Sequence, residues 1–404
     1  MKVKVLGSKK RFKLIYHISD IHIRPTERHV EYREVIGRLY SFLRRSIKND
    51  LIVITGDIIH NRHNITSACK DLIIDFLVSL AEIAPVIIIP GNHDRSVKEP
   101  KALDFFDENL IKLDTYHPIY YLKYTGFYLC GNVLFGVTDI HTPNILRAQE
   151  IPKEYKNIEY KVALIHGYGS RTGLESAECI TKGKFDGYHY VLLGDIHRYK
   201  YLDDDIAYAG SLIQQNYGEL VENHGVLIWD LVNHESRLHE IHNNYGFVTV
   251  EVKEGKMNVP IDIPSKPRIR VIYTDTTKEQ LQKVSDTLKS QYDVKDYREI
   301  ESGCKDEPEI KPKKNANIVK YERREPLWSN QEDRMKFLHA TKIDLKKDNI
   351  LQEIIEDEEK FRRCYRIFYL YLTKDALDNQ EYRDYLGNFP HIEKSVFQEL
   401  KVIC

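Results

Sequence analysis

An α/β sheet core, followed by a smaller α+β unit and a helical tail, is the fold class this sequence predicts. Three observations point to it. Short Ile/Val/Leu runs alternate with stretches of helical period through residue 242. The runs are continuously apolar, and the texture of the chain changes after that point. Continuous runs mark strands covered on both faces, and their alternation with helical segments marks βαβ units.

In chain order, the expected strands are "KLIYHIS" (13–19), "LIVIT" (51–55), "PVIIIP" (85–90), "VALIH" (162–166), "YVLL" (190–193), "IAYAG" (206–210) and "GVLIWDL" (225–231). Segments 30–48 and 67–82, between the first three, have helical character. Beyond 242, "YGFVTVEVKEG" reads as an exposed hairpin arm and "PRIRVIYTD" (267–275) as a further strand. A helix should follow, started by a capping box of Thr276 and Glu279, with Leu281, Val284 and Leu288 on one face. Residues 301–325, rich in Lys, Glu and Pro, read as a solvated linker. Past it, Ile350, Leu351, Ile354, Ile355, Phe361, Tyr365, Phe368 and Leu372 recur at helical spacing. The expected domains are therefore 1–242, 243–300 and a helical region at 326–404.

The chain has 404 residues, enough for two or three domains, and a net charge of −1. No global basic field advertises nucleic acid, so such a role needs a local basic face. Apolar residues make up 42% of the chain, but no run approaches the roughly 18–20 needed to span a bilayer. The N-terminus is basic without the apolar core of a signal peptide. Six scattered cysteines form no CxxC pair and are expected to stay reduced, in the cytoplasm or nucleus. Any metal would then be held by Asp, His and Asn.

Five of the strands end in polar clusters. They are "SDIH" (19–22), "TGDIIH" (55–60), "PGNHD" (90–94), "ALIHG" with His166, and "LLGDIH" (192–197). Carboxyl ends of strands in an α/β sheet are where ligands bind. One Asp after a strand is ordinarily a turn former or helix cap, and one buried His ordinarily belongs to the core. Five endings drawn together from metal-ligand residue types are a different matter. They place Asp20, His22, Asp57, His60, Asn92, His93, Asp94, His166, Asp195 and His197 around one pocket. This mixed oxygen and nitrogen set suits Mn²⁺, Fe or Zn²⁺ better than Ca²⁺, and the ligand count suits two ions. Paired divalent ions can bridge a phosphoryl oxygen and activate a water, as in phosphatases and nucleases.

D-x-H, G-D-x-x-H, G-N-H-D, H-G and G-x-x-H-like endings, in this order, resemble the calcineurin-type metallophosphoesterase superfamily. His60, the "GDIH" ending and "AGSLIQQNYGE" (209–219) are similar to the SbcD/Mre-type DNA-repair nucleases within it. The resemblance implies a metallophosphoesterase four-layer αββα sandwich, a small α+β capping domain and a helical C-terminal tail. It implies Asp20, His22, Asp57 and His197 on one metal, and Asp57, Asn92, His166 and residue 195 on the other, with Asp57 bridging. A bridging ligand should be a carboxylate, because an imidazole has one lone pair to give. His93 becomes the acid that protonates or stabilises the leaving oxygen, with Asp94 fixing its tautomer. His60 either positions the substrate or braces Asp57.

Position 195 departs from the pattern, since these nucleases commonly have His where this chain has Asp. Asp195 is then a ligand, a carboxylate one shell out, or the mark of a weakened second site. As a ligand it brings a third carboxylate and should favour Mn²⁺ or Mg²⁺. Arg95, Lys98, Arg171, Arg198 and Lys200 lie beside the motif loops as candidates for DNA phosphates, with "KPRIR" (266–270) a weaker one.

The resemblance further implies duplex exonuclease and single-strand endonuclease activity on DNA ends in double-strand-break repair. Two Mn²⁺ per chain, a homodimer and an SMC-like ATPase partner of the SbcC type, docked on the C-terminal helices, go with it. No G-x-x-x-x-G-K-[ST] occurs in the chain, so the ATPase would be another subunit. A phosphatase or small-molecule phosphodiesterase of the same superfamily is the alternative. A DNA-end-binding scaffold without catalysis is the third reading.

Overall fold

Each of the seven continuous apolar runs forms a strand in the computed structural model, which describes residues 2–7, 10–96, 98–142, 144–167, 182–260 and 263–302. The first strands are β1 (Val3–Val5), β2 (Leu14–Ile18), β3 (Leu51–Ile54), β4 (Val86–Ile88) and β5 (Ile119–Tyr121). Next come β6 (Gly126–Cys130), β7 (Val133–Thr138), β8 (Tyr160–His166), β9 (Tyr190–Gly194), β10 (Lys200–Asp203) and β11 (Ile206–Tyr208). The last are β12 (Gly225–Asp230), β13 (Glu235–Glu240), β14 (Tyr245–Lys253), β15 (Lys256–Asn258), β16 (Lys266–Thr274) and β17 (Asp296–Glu301). Helices α1 (His29–Ser46) and α2 (Ser67–Ala81) stand where helical character was expected; α3 (Phe105–Asn109) and α4 (Lys278–Gln291) follow.

Two sheets stack face to face. One has the order β13-β12-β2-β3-β4-β5 and the other β1-β6-β7-β8-β9-β11-β10. Ile15, Leu51, Val53, Ile87 and Trp229 of the first meet Val133, Phe135, Val162, Leu164 and Leu192 of the second in one buried core. Burying each such side chain contributes about 1.5–3 kcal/mol. On the opposite face of the first sheet, Tyr16, Ile18, Ile52 and Ile54 are equally buried, as alternation along a strand requires. Helix α1 covers that face: the Phe42 ring meets Tyr16 edge-on at 6.2 Å, and Tyr40 Oη donates to the Phe76 carbonyl on α2 at 3.0 Å. The far face of the second sheet packs Ala163, Ile165, Val191 and Leu193 against Phe185.

The sequence beyond 242 differs from expectation in detail. β14 is a hairpin arm, paired antiparallel with β15 across Glu254 and Gly255, but most of it is not exposed. It pairs in parallel with β16 along its whole length, inside a sheet of order β15-β14-β16-β17. Val248, Val250, Val252, Ile269 and Val271 turn one face of that sheet onto Leu281, Val284 and Leu288 of α4. The capping box is Thr277 with Gln280, one residue later than expected. The Thr276 hydroxyl instead donates to the Thr274 carbonyl at 2.8 Å and accepts from the Gly255 N–H at 3.3 Å. The described residues all fall within one compact unit, Met1–Cys304. The expected tail helices lie outside the described residues.

Candidate metal centre

Parallel strands put their carboxyl ends on one side, so β2, β3 and β4 of one sheet and β8 and β9 of the other deliver their terminal residues together. A single parallel bridge, Ser19 to Ser211, ties the two sheets at that edge. The turns are tight. Asp20, His22, Asp57 and Asp195 all take positive φ, between 50° and 96°, which is costly for residues with a Cβ. Glycines make the close approach possible. A Cβ on Gly91 would stand 2.0 Å from Asp57 Oδ1, and one on Gly194 would stand 2.1 Å from the Thr55 carbonyl oxygen.

Asp57 lies at the middle of the cluster. Its Oδ1 accepts from the His93 backbone N–H at 2.9 Å, and its Oδ2 faces His22 Nε2 at 3.5 Å and His166 Nε2 at 3.4 Å. On one side, His22 Nε2 is 3.0 Å from His197 Nε2, and both lie 3.9 Å from Asp20 Oδ1. On the other, His166 Nε2 is 2.9 Å from Asn92 Oδ1 and 3.8 Å from Asp195 Oδ1. The geometry thus brings together all seven candidate ligands in two groups that share Asp57.

The donor set fits divalent cations. His197 Nδ1 pairs with Glu219 Oε1 at 2.9 Å, and His166 Nδ1 pairs with the Thr55 carbonyl at 2.7 Å. Each ring therefore donates outward through Nδ1–H and turns Nε2 toward the oxygens. Lone pairs converging at these distances need a proton or a cation between them. Without a cation the proton wins: burial disfavours charge on His166, yet Asp57 beside it raises its pKa to about 10. Burial pushes Asp57 up, but the charge on His166 outweighs this and holds it below the ordinary carboxylate range. Burial raises Asp20 to about 6. A divalent ion would take the same lone pairs and release the protons.

His93 and His60 stand beside this cluster. The His93 and His22 ring centroids are 4.7 Å apart, those of His60 and His22 5.6 Å. His93 Nδ1 is 2.7 Å from the His60 carbonyl, so its Nε2 is the atom left for a substrate. Asp94, expected to orient His93, does something else. Its carboxylate accepts the backbone N–H groups of Ile59 at 2.9 Å and Gly91 at 3.0 Å, pinning the β3 and β4 loops together. The His60 carbonyl orients the His93 ring in its place.

The arginine and lysine candidates divide. Arg95 is not at the surface; it is 2% exposed, donates to the Lys123 carbonyl at 2.9 Å and lies over the Tyr124 ring. It is a structural residue: it turns inward, while Lys98, Glu99 and Pro100 after it are exposed. Lys98 and Arg198 are exposed, Lys200 is half-buried at the start of β10, and Arg171 lies outside the described residues. Sequence reading missed Glu219, which also accepts from the Gln215 backbone N–H at 2.8 Å and so holds His197 against a fixed loop. It missed Ser19, whose hydroxyl donates to Asp20 at 2.5 Å, although Ser19 stands directly before the motif. It missed Arg24, whose Nη1 is 3.3 Å from His60 Nε2.

Residues 13–199, from β2 through β9, match the family model of the calcineurin-like phosphoesterases. This segment is a calcineurin-like phosphoesterase domain. Metallophosphoesterases use divalent metals, and the phosphoesterase domain here supplies Asp and His groups able to bind them. An uncharacterized protein of Acanthamoeba polyphaga mimivirus is 42% identical over 299 residues, covering 70% of this chain and 22% of its own length. A protein of Invertebrate iridescent virus 6, named as a "putative phosphoesterase", is 29% identical over 184 residues, covering 44% of this chain and 63% of its own. The chain thus spans less than two thirds of either relative. The family match stops before Glu219, the residue that holds the His197 ring.

Proposed function

We propose that this phosphoesterase is a two-metal DNA nuclease that processes DNA ends, with Mn²⁺ as its metal and Mg²⁺, Fe or Zn²⁺ as substitutes. A row of guanidinium and aromatic groups beside the metal centre carries the reading. Arg270 and Arg298 lie over Tyr217 at 4.7 and 5.9 Å, while Arg28 and Arg268 lie over the Phe247 ring at 5.1 Å with their charge met by Glu31, so Arg270 and Arg298 are the cations this row offers. Tyr217 is two residues from Glu219, which holds His197, so the row begins at the site itself. Charged groups interleaved with rings are what a nucleic-acid strand needs for its phosphates and bases, whereas one small phosphate ester needs neither. Arg268 and Arg270 come from the "KPRIR" segment.

Asp57 would be shared by two ions, Asp20, His22 and His197 completing one site and Asn92, His166 and Asp195 the other. Bound there, the ions would neutralise the phosphoryl oxygens and activate the attacking water. His93, held through Nδ1, would carry a proton on Nε2 and give it to the leaving oxygen. His60 would face the substrate from the other edge of the cluster. The homodimer and the SMC-like ATPase of the SbcC type belong to this proposal, as does action in the cytoplasm or nucleus.

End-labelled duplex and single-stranded DNA, incubated with Mn²⁺ and the full chain, test it. Cleavage of DNA in preference to phosphomonoesters is the expected result. Preference for phosphomonoesters would select the phosphatase reading, and Mn²⁺ uptake without any hydrolysis would select the scaffold.

A further inference from the structure

Arg24 stands at the edge of the metal centre, and the protein leaves its guanidinium under-used. Its Nη1 is 3.3 Å from His60 Nε2, its Nη2 is 3.4 Å from the Gln215 carbonyl oxygen, and its ion pair with the exposed Glu27 is 3.7 Å long. Its Nε is buried without a hydrogen-bond partner among the described residues. The neighbouring Arg28 is the contrast. There Nε and Nη2 each meet Glu31 at 2.8 Å, and Nη2 also meets the Gln214 carbonyl oxygen at 2.7 Å. A guanidinium has five N–H donors, and one left with long bonds to a neutral imidazole and a carbonyl gains most from an anion.

Position decides which anion. Arg24 meets His60 at Nε2, and His60 in turn lies beside His22 of the metal set. The guanidinium is therefore one imidazole ring removed from the ions that would hold the reacting phosphate. Arg28, four residues on, already belongs to the arginine and aromatic row. Arg24 fills the gap between the row and the metal centre.

We propose that Arg24 binds the phosphate next to the scissile one on a nucleic-acid strand, and so sets which linkage enters the metal centre. On binding, it exchanges its long contacts with His60 and Gln215 for short charge-assisted bonds to phosphate oxygens. His60 Nε2 is released toward the substrate by the same movement. This inference rests on the nuclease reading and adds a specific residue to it.

The test is binding of a labelled phosphorothioate oligodeoxynucleotide to the full chain with Mn²⁺ present, followed across a salt series. Arg24→Gln should weaken binding about tenfold. It should also make the slope of log K against log salt shallower by about 0.7, the loss of one single-strand phosphate contact. Arg24→Lys should restore part of the slope, since its charge remains while its fork geometry does not. Mn²⁺ uptake should stay at the wild-type level throughout. Unchanged affinity and slope in Arg24→Gln overturn the role of Arg24 and leave the nuclease reading standing. Weakened binding accompanied by lost Mn²⁺ shows a structural role and overturns it too. A wild-type chain that binds no oligodeoxynucleotide removes both.

Discussion

Among the candidate ligands, Asp195 is the one whose residue type departs from the pattern the sequence resembles. Its φ of 96° follows a glycine that admits no side chain, and its backbone N–H donates to both oxygens of Asp20 at 3.2 Å. The carboxylate is thereby held near His166, on the side where an imidazole is usual in the nucleases it resembles. As a ligand it would make, with Asp20 and Asp57, three carboxylates around two divalent ions, which would leave about one positive charge and favour hard ions. Wild-type protein should bind two Mn²⁺ per chain, and Asp195→Asn should lower the count toward one, measured by calorimetry or by the Mn²⁺ resonance signal. Two ions bound equally well by the variant would remove Asp195 from the ligand set. Glu219→Gln tests the outer support of His197; it should weaken Mn²⁺ binding about 10–100-fold without changing the ligands. The motif residues were legible because each follows an apolar run that announces where the strand ends. Glu219 was not, because its role depends on a loop returning 22 positions later, and no local spacing encodes that.

At the scale of elements, β2 carries a titratable group outside the ligand set. His17 is fully buried, with Nε2 2.8 Å from Thr55 Oγ1, and burial lowers its pKa to about 3. The unfolded chain takes up this proton near pH 6.5 and the folded chain does not. Stability should therefore fall as pH drops from 6.5 toward 3, by roughly 1.4 kcal/mol per pH unit from this one group. Urea unfolding across that range should show a shallower slope in His17→Gln. A second element-scale contact joins α1 to the sheet beyond 242. Glu31, 1% exposed, accepts from Arg28 and Arg268 at 2.8 Å and from Asn243 at 2.9 Å. Glu31→Gln strands two guanidinium groups and should cost about 3 kcal/mol or more. Equal unfolding midpoints for the variant and the wild type would refute it. The central strands were readable from their Ile/Val/Leu runs. β6 and β7 were not, since glycine, tyrosine and cysteine break up "GFYLCGNVLFGVT"; β1 spans only three residues, and the polar edge strands β10 and β13 lack an apolar pattern to read.

For the molecule as a whole, two stacked sheets and a phosphoesterase match over residues 13–199 account for a hydrolytic centre, and the row that includes Arg270 and Arg298 is what the nuclease proposal rests on. A net charge of −1 hid that row, because composition averages over faces. None of the helices among the described residues is long and apolar enough to cross a membrane. The account makes one demand above the rest: metal binding and proton delivery must be separable, because the His93 ring is held by the His60 carbonyl, while only its backbone N–H meets Asp57. End-labelled duplex DNA with Mn²⁺, wild type beside His93→Ala, with bound metal measured in the same samples, tests that demand. The account predicts cleavage by the wild type, about 10²–10⁴-fold slower cleavage by the variant, and equal metal in both. Undiminished cleavage by His93→Ala, or a rate loss that only follows lost metal, would contradict it.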